Sequence, residues 1–205
     1  MSSKKPLIVF EGVEGSGKTT LIKYISSYLK NKKLKFINLR EPGGNKNSEK
    51  IRKLILNKKN KFNSFTDLML YLAARSENIE KVIKKNYKKK IILLDRFTDS
   101  TIAYQHYGMG LDKTLINKIN KMLLNNIKPN LVFLNLINMK NLRYRLNRRK
   151  NKNRYDKFDI NFYKKVQIGF TKLSKNKSNY IIIDSNKNLS HNKNKALESV
   201  KKLIK

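Results

Sequence analysis

The chain of 205 residues is 39% hydrophobic, which suits a single domain spanning residues 1–205 around one core. The absence of cysteine excludes disulfides and thiolate metal sites, and no apolar run approaches the roughly 18 residues of a membrane span. The 48 Lys and Arg residues against 14 Asp and Glu give a net charge of +34, which alone would suggest a nucleic-acid partner. The lysines are spread over most predicted helices and accompany excess asparagine and isoleucine, which is typical of A/T-biased codons, so nucleic-acid binding is not expected.

Short apolar segments alternate with amphipathic ones along the chain. Strands are predicted at residues 7–11, 35–39, 91–94, 131–136 and 180–183. Helices are predicted at roughly 18–30, 47–57, 64–86, 98–106, 112–126, 139–149 and 158–174, with a last helix closing the chain. This alternation indicates a five-stranded parallel α/β sheet with helices on both faces and functional loops at the carboxyl ends of the strands. The first residues lead directly into a strand without a signal peptide, so we expect a cytoplasmic protein.

A glycine-rich loop joins the first strand to the first helix. Residues 12–19, Gly-Val-Glu-Gly-Ser-Gly-Lys-Thr, match the phosphate-binding pattern G-x-x-x-x-G-K-[ST] in its strand–loop–helix context. Lys18 would bridge the β- and γ-phosphates of a nucleotide, and the Thr19 hydroxyl would bind Mg²⁺. The expected ATP-binding residues are Gly12, Val13, Glu14, Gly15, Ser16, Gly17, Lys18, Thr19 and Thr20.

Charged residues at two further strand ends indicate the acceptor of the phosphoryl group. Arg40 follows the second strand, Arg96 follows the third, and Arg75 lies on the helix between them. In a doubly wound sheet Arg40 and Arg96 would converge beside the phosphate loop and could hold a second phosphate bidentately. A monophosphate acceptor is already an anion, so it needs positioning and charge neutralisation rather than a general base. Asp95 ends the third strand, where it could hold Mg²⁺ or pair with a neighbouring arginine.

Further motifs narrow the class of kinase. They are Arg40-Glu-Pro-Gly-Gly44, Ala73-Ala-Arg75, Asp95-Arg96-Phe-Thr-Asp-Ser-Thr101 with Ala103-Tyr-Gln105, and Pro129-Asn-Leu131. In these motifs and in their order, the chain resembles the bacterial thymidylate kinases over essentially its full length. The resemblance implies the P-loop nucleoside monophosphate kinase fold with a small lid, a homodimer, and Mg²⁺- and ATP-dependent conversion of dTMP to dTDP in dTTP synthesis.

The resemblance also implies how the phosphate and sugar of dTMP are bound. Arg40 and Arg96 would bind the phosphate, and Glu14 would accept a hydrogen bond from the sugar 3′-hydroxyl. Tyr104 would pack under the deoxyribose, where a 2′-hydroxyl would not fit. A cis Glu41–Pro42 peptide bond would aim Arg40.

For the thymine base, the resemblance implies a second group of contacts. Arg75 would donate to a thymine carbonyl, while Thr101 and Gln105 would bind the edge of the base, beside Ser100. Tyr71 stands where the family has a phenylalanine that stacks on thymine, and its hydroxyl needs a partner or solvent. Phe97 replaces a histidine or tyrosine of many relatives.

The family differs in where it keeps the arginine that stabilises the transition state. One type has it in the phosphate loop, where this chain has Glu14-Gly15, and the other supplies it from a lid. Residues 145–156 would form the lid here, and their arginines are Arg145, Arg148, Arg149 and Arg154. We favour Arg149 and Arg154 as catalytic residues beside Lys18 and Arg96, the alternative being a solvated surface.

Two other functions fit part of the sequence. Another nucleoside monophosphate kinase would share the loop and the arginines, but not the A-Y-Q segment with its preceding D-S-T. A nucleic-acid-dependent ATPase would account for the charge, but Asp95 is followed by arginine rather than by a second carboxylate to activate water.

Helices 47–57, 64–86 and 98–106 could supply a dimer face, and the loop near Asp184 and Ser185 could hold adenine.

Overall fold

The computed structural model describes residues 5–150 and 153–205. One sheet has the strand order β2-β3-β1-β4-β5, with every neighbouring pair parallel. Its strands are β1 (Leu7–Glu11), β2 (Phe36–Arg40), β3 (Ile91–Asp95), β4 (Leu131–Leu136) and β5 (Tyr180–Asp184). The expected five-stranded parallel sheet is confirmed.

The helices pack on both faces of this sheet. They are α1 (Lys18–Asn31), α2 (Lys46–Leu56), α3 (Ser64–Asn78), α4 (Lys84–Asn86), α5 (Thr98–Thr101), α6 (Lys113–Leu124), α7 (Met139–Asn147), α8 (Ile160–Ser174) and α9 (Leu189–Ile204). Two π-helical segments, Ile79–Ile83 and Ile102–Gly108, and a 3₁₀ turn at Arg154–Lys157 complete the described secondary structure. Among the described helices, none combines the length and apolar composition needed to cross a bilayer.

The central strand β1 shows why the sheet is covered on both sides. Ile8 and Phe10 pack into the cluster formed with α1 and α9, whereas Leu7 and Val9 pack against Ile79 on the opposite face. Because successive strand residues point to opposite faces, an uninterrupted apolar run requires a layer of helices on each. The apolar run thus places β1, and the loop that follows it, at the centre of the molecule.

The abundant asparagine has a structural use at the starts of helices. The side chains of Asn45, Asn63, Asn138 and Asn188 each accept hydrogen bonds from backbone N–H groups in the first turn of α2, α3, α7 and α9. These N–H groups have no partner inside the helix, so an asparagine cap contributes about 1 kcal/mol. The composition therefore helps to define where these helices begin.

The predicted helices 64–86 and 98–106 differ from the observed ones in their internal geometry. The first consists of α3, the π-helical segment Ile79–Ile83 and α4, and the second of α5 followed by the π-helical segment Ile102–Gly108. A π-helical turn accommodates one more residue than an α-helical turn, and apolar spacing alone does not reveal it. The second segment carries Tyr104 and Gln105, so its geometry decides how both side chains face the site.

Candidate active site

The loop after β1 wraps closely against the rest of the sheet edge. Gly12 has φ +133°, and a Cβ at this position would lie 2.4 Å from the Asn135 carbonyl oxygen, so only glycine fits. Lys18 begins α1, and its Nζ donates to the carbonyl oxygens of Gly12 and Val13, both at 2.9 Å. Burial, with Arg96 nearby, lowers the pKa of the Lys18 amine to about 8. The loop holds a desolvated cation where nucleotide phosphates are expected.

Side chains from β4, α7 and the loop after β5 support the phosphate loop from behind. Asn135 Nδ2 and Ser185 Oγ both donate to the Ser16 carbonyl oxygen, at 3.1 and 2.7 Å. Arg145 donates to the carbonyl oxygens of Gly15 and Ser185, both at 2.9 Å. A cavity of about 220 Å³ adjoins Ser16, Arg145 and Ser185, the last of which belongs to the loop that the sequence offered as one that could hold adenine.

A larger cavity of about 540 Å³ opens in front of the phosphate loop. It lies between the carboxyl ends of β2 and β3, the helix α3, the segment after β3 and the end of α7. The predicted site residues that line it are Glu14, Gly15, Lys18, Thr19, Arg40, Tyr71, Arg75, Asp95, Arg96, Ser100, Thr101, Tyr104, Gln105 and Arg149. Gly12, Val13, Ser16, Gly17 and Thr20 belong to the phosphate loop and its helix but are not among the residues lining this cavity.

Arg96 lies in the wall of this cavity and has several hydrogen-bond partners. Its guanidinium donates to the Gly12 carbonyl oxygen at 3.0 Å, to Ser100 Oγ at 3.1 Å and to Glu14 Oε1 at 2.8 Å. The Tyr104 ring lies under the guanidinium, 5.1 Å from its carbon to the ring centroid, and the Tyr104 hydroxyl donates to Glu14. Although burial opposes ionisation, Arg96 and Lys18 hold the pKa of Glu14 below its usual value, so this carboxylate is an anion at neutral pH.

Arg40 also lines this cavity. Its guanidinium is 54% exposed and forms an ion pair with Glu49 at 2.9 Å, and Glu49 also accepts from the Gly44 N–H. The Glu41–Pro42 peptide bond that follows is cis, as the resemblance implied. Arg40 and Arg96 therefore face one cavity together with Lys18, which is the convergence expected from the strand ends.

The part of the cavity wall formed by α3 and the segment after β3 contains buried polar groups. Arg75 is 2% exposed and donates to Glu41 Oε2 at 2.7 Å, to Asn120 Oδ1 at 2.7 Å and to the Phe97 carbonyl oxygen at 2.9 Å. Gln105 is also buried, and its Nε2 has no hydrogen-bond partner in the part of the chain that the structure describes. An unpaired buried amide in a cavity wall is costly, so it favours a polar ligand there.

Tyr155 is a wall residue that the sequence did not indicate. It is buried and lines the cavity, with its ring edge-on to those of Tyr71 and Tyr104 at centroid distances of 6.1 and 6.0 Å. Its side chain lies close enough to Tyr71 to influence the pKa of the Tyr71 hydroxyl, which burial raises. The only signal in the sequence was an aromatic residue directly after Arg154.

Two oxygen donors suit a divalent cation. Asp95 Oδ1 is buried and has no hydrogen-bond partner among the described residues, while Thr19 follows Lys18 at the start of α1. Both line the cavity with Lys18. Mg²⁺ prefers oxygen ligands and is usually bound by one or two protein groups plus phosphates, so the pair fits Mg²⁺.

Carboxylates gather at the ends of three neighbouring strands. Glu11 is the last residue of β1, and Glu14 follows that strand. Glu41 follows β2, Asp95 is the last residue of β3, and Asp99 follows β3. Burial, together with Asp99, raises the pKa of Glu11 to about 7, and burial likewise raises the pKa values of Glu41 and Asp99. A large share of the few acidic residues is thus used inside the molecule, around the arginines.

The two lid arginines favoured from the sequence lie in different places. Arg149, after α7, lines the cavity. Arg154 forms an ion pair with Asp67 of α3, with Nη2 2.5 Å from the carboxylate, and it is not among the residues that line the cavity. Residues 151–152 of the predicted lid lie outside the described residues.

The fold and the site define a P-loop kinase that acts on nucleoside monophosphates. The thymidylate kinase family model matches residues 10–196, which is most of the chain. The chain belongs to the thymidylate kinase family.

Individual relatives agree with this assignment. The chain is 40% identical over 185 residues to the thymidylate kinase of Thermosipho africanus, covering 90% of this chain and 92% of that protein. It is 36% identical over 203 residues to the thymidylate kinase of Mycoplasma capricolum, covering 97% and 95% of the two chains. The crystal structure of the thymidylate kinase from Ehrlichia chaffeensis matches with a TM-score of 0.76 and 31% identity, over 97% of this chain and 98% of that one.

Proposed function

We propose that this chain transfers the γ-phosphoryl group of ATP to dTMP, producing dTDP and ADP, as a step in dTTP synthesis. ATP-dependent phosphorylation of dTMP is the activity of the family to which the chain belongs. The observation that carries the proposal is one cavity that combines Lys18 of the phosphate loop with Arg40 and Arg96 from two separate strand ends. That set of cations suits two phosphorylated ligands brought end to end.

In the proposed reaction, the dTMP phosphate lies between Arg40 and Arg96 and attacks the γ-phosphorus of ATP. Lys18 moves from its two carbonyl partners to the β- and γ-phosphates, supported by the N–H groups of residues 12–20. The acceptor phosphate is already anionic, so these residues position it and neutralise charge without removing a proton. Mg²⁺, held by Thr19 and through Asp95, would neutralise charge on the ATP phosphates.

The proposed pocket for the nucleoside explains selectivity for deoxythymidine. Glu14 is an anion held by Arg96 and Tyr104, so it can accept a hydrogen bond from the 3′-hydroxyl. The base would contact Arg75 and the unpaired amide of Gln105. Further proposed contacts are Tyr71, Ser100 and Thr101. Aromatic surface on one side and a few aimed donors on the other are typical of a base pocket.

Arg149 and Arg154 are the proposed lid arginines. Arg149 already lines the cavity and can approach a transferring phosphoryl group by a movement of its own segment. Arg154 could do so only after leaving Asp67. We therefore propose Arg149, rather than Arg154, as the arginine that stabilises the transition state.

Parallel assays with dTMP, dUMP, UMP, CMP and AMP test the acceptor. We expect kcat/KM for dTMP to exceed that for each ribonucleotide by at least about 100-fold, because a 2′-hydroxyl would meet the Tyr104 ring. Equal or better use of UMP, CMP or AMP would contradict the assignment. The same preparation is assayed for ATP hydrolysis with and without DNA and RNA, and stimulation without any acceptor would favour a nucleic-acid-dependent ATPase.

We also propose a homodimer and a cytoplasmic location. Leu54 on α2 and Phe65 on α3 are 49% and 51% exposed, so two of the helices expected at a dimer face present apolar side chains. ATP and deoxynucleotides are supplied in the cytoplasm. Sedimentation equilibrium on the wild type and on Phe65→Glu tests the dimer, and a monomeric wild type at micromolar concentration would contradict it.

A further inference from the structure

We propose that Glu11 is a positioning residue for the acceptor phosphate, because it holds Arg96 in its binding geometry through Ser100 and the backbone after β3. The inference rests on the proposed function and adds a residue that does not itself line the substrate cavity. Glu11 is the last residue of β1, directly before the phosphate loop, and is 1% exposed. Its carboxylate is turned towards the segment that follows β3.

The first part of the argument concerns backbone groups at the start of α5. Glu11 Oε1 accepts from the N–H groups of Phe97 at 2.8 Å and Ser100 at 3.3 Å. The first N–H groups of a helix lack partners inside it, and Phe97, which precedes α5, has no polar side chain to bind them. A carboxylate from a neighbouring strand therefore caps this helix and joins the end of β1 to the segment after β3.

The second part concerns a chain of side-chain hydrogen bonds. The Ser100 hydroxyl donates to Glu11 Oε2, and Ser100 Oγ accepts from Arg96 Nη1 at 3.1 Å. A hydroxyl has one hydrogen, and the carboxylate form of Glu11, which predominates above its pKa of about 7, can only accept. Glu11 thus directs the Ser100 hydrogen to itself and leaves the oxygen lone pairs facing the guanidinium.

The backbone of Arg96 shows why such support is needed. Arg96 has φ +69°, a left-handed conformation that costs a non-glycine residue about 1 kcal/mol or more. The Arg96 N–H donates to the Phe10 carbonyl oxygen at 3.0 Å, and Glu11 binds the next N–H along the chain, that of Phe97. The two adjacent residues of β1 therefore hold the backbone on either side of the strained position.

Glu11→Gln separates these two functions of the carboxylate. Its amide oxygen can still accept from the Phe97 and Ser100 N–H groups, so the helix cap is kept. Its amide nitrogen replaces Oε2 and can only donate, so the Ser100 hydroxyl loses its acceptor and competes with Arg96. At about pH 8, where the Glu11 carboxylate predominates, we expect kcat/KM for dTMP to fall about tenfold, mainly through a higher KM for dTMP, while KM for ATP stays within about twofold.

A double-mutant cycle with Ser100→Ala tests the route of the effect. Ser100 lines the cavity and is itself a proposed substrate contact, so Ser100→Ala alone does not identify the function of Glu11. If Glu11 acts through the hydroxyl, Glu11→Gln should lower kcat/KM for dTMP by less than about twofold in the Ser100→Ala background. The matched control is Ser199→Ala, which should leave all constants unchanged because the Ser199 hydroxyl donates to the Lys195 carbonyl oxygen within α9.

The possible results either support or overturn the inference. The inference is supported if Glu11→Gln lowers kcat/KM for dTMP without an equal change in KM for ATP, and if this effect is absent in the Ser100→Ala background. A Glu11→Gln enzyme within about twofold of wild type, multiplicative losses in the double variant, or equal losses for both substrates would overturn it. If the wild type does not phosphorylate dTMP, it is the proposed function that fails, and that result is obtained before any variant is made.

Discussion

The ion pair between Asp67 and Arg154 gives a prediction that separates a structural function of Arg154 from a catalytic one. Asp67 and Arg154 are only 5% and 13% exposed, and Nη2 is 2.5 Å from both carboxylate oxygens. The guanidinium also lies over the rings of Phe62 and Tyr155, 5.6 and 5.4 Å from their centroids. The pair thus ties the end of the lid segment to α3, next to the cavity wall formed by Tyr155.

The expected magnitudes follow from this burial. In Arg154→Met the apolar stem is kept, but of its side-chain partners among the described residues Asp67 retains only the Tyr155 hydroxyl, at 3.4 Å. Breaking a fully buried pair costs about 3–5 kcal/mol, and the partial exposure of Arg154 brings the expected loss to about 2–3 kcal/mol. Asp67→Asn should cost about 2 kcal/mol, since the guanidinium keeps its two aromatic neighbours.

The assay is urea unfolding of the wild type, both single variants and the double variant at one pH and salt concentration. We expect the double variant to be more stable than the sum of the single losses predicts, by at least about 1.5 kcal/mol. A loss of about 2–3 kcal/mol corresponds to a fall in Tm of roughly 4–12 °C for a chain of this size. Additive losses would refute the reasoning, and an Arg154→Met variant of unchanged stability but much lower kcat would instead place Arg154 at the transferring phosphate.

Three further predictions concern single residues of the site. Arg40→Ala should raise KM for dTMP about 10- to 100-fold, because a charged hydrogen-bond partner of the phosphate is lost. Tm should stay within about 1 °C, because the Arg40 side chain in its pair with Glu49 is 54% exposed. An unchanged KM would remove Arg40 from the phosphate site. Lys18→Ala should lower kcat about 100- to 1000-fold, measured in a coupled assay for ADP, and a loss below tenfold would contradict its contact with the transferring group. The folded-state pKa of Glu11, about 7, lies above its ordinary value of 4.5, so ionisation of Glu11 opposes folding. As pH rises from 4.5 to 7.5, the free energy of unfolding of the wild type should therefore fall by up to about 3 kcal/mol relative to that of Glu11→Gln. Urea titrations of both proteins across that range check the last prediction, and parallel pH dependences would contradict it.

The sheet was predictable because its strands are short, uninterrupted apolar runs bounded by polar residues. The predicted strands differ from the observed ones only at their ends: β2 is Phe36–Arg40 rather than 35–39, and β3 and β5 continue to Asp95 and Asp184. The phosphate loop and the positions of Arg40 and Arg96 followed from the same runs, since the carboxyl ends of parallel strands meet at one edge of the sheet. Local pattern and topology therefore sufficed to bring Lys18, Arg40 and Arg96 to one cavity.

The supporting contacts could not be obtained in this way because they join distant segments. Arg154 and Asp67 are separated by 87 positions, and Ser100 and Glu11 by 89. In the sequence, Glu11 is simply the last residue of an apolar run, and Asp67 is an acidic residue in the first turn of a helix. Only the folded chain shows that each carboxylate is buried beside a partner.

The gathering of carboxylates at the strand ends has a consequence for the speed of ligand capture. Five of the 14 acidic residues lie in this group, whereas the chain has 48 Lys and Arg residues. A diffusing nucleotide anion therefore meets a mainly attractive potential before it reaches the half-exposed Arg40. At physiological ionic strength this attraction extends only about 8 Å, so added salt should slow the encounter. The dissociation rate should depend much less on salt, because Arg96 is mostly buried. The cationic surface would thus affect mainly the association rate of the nucleotide, and the buried contacts its dissociation rate.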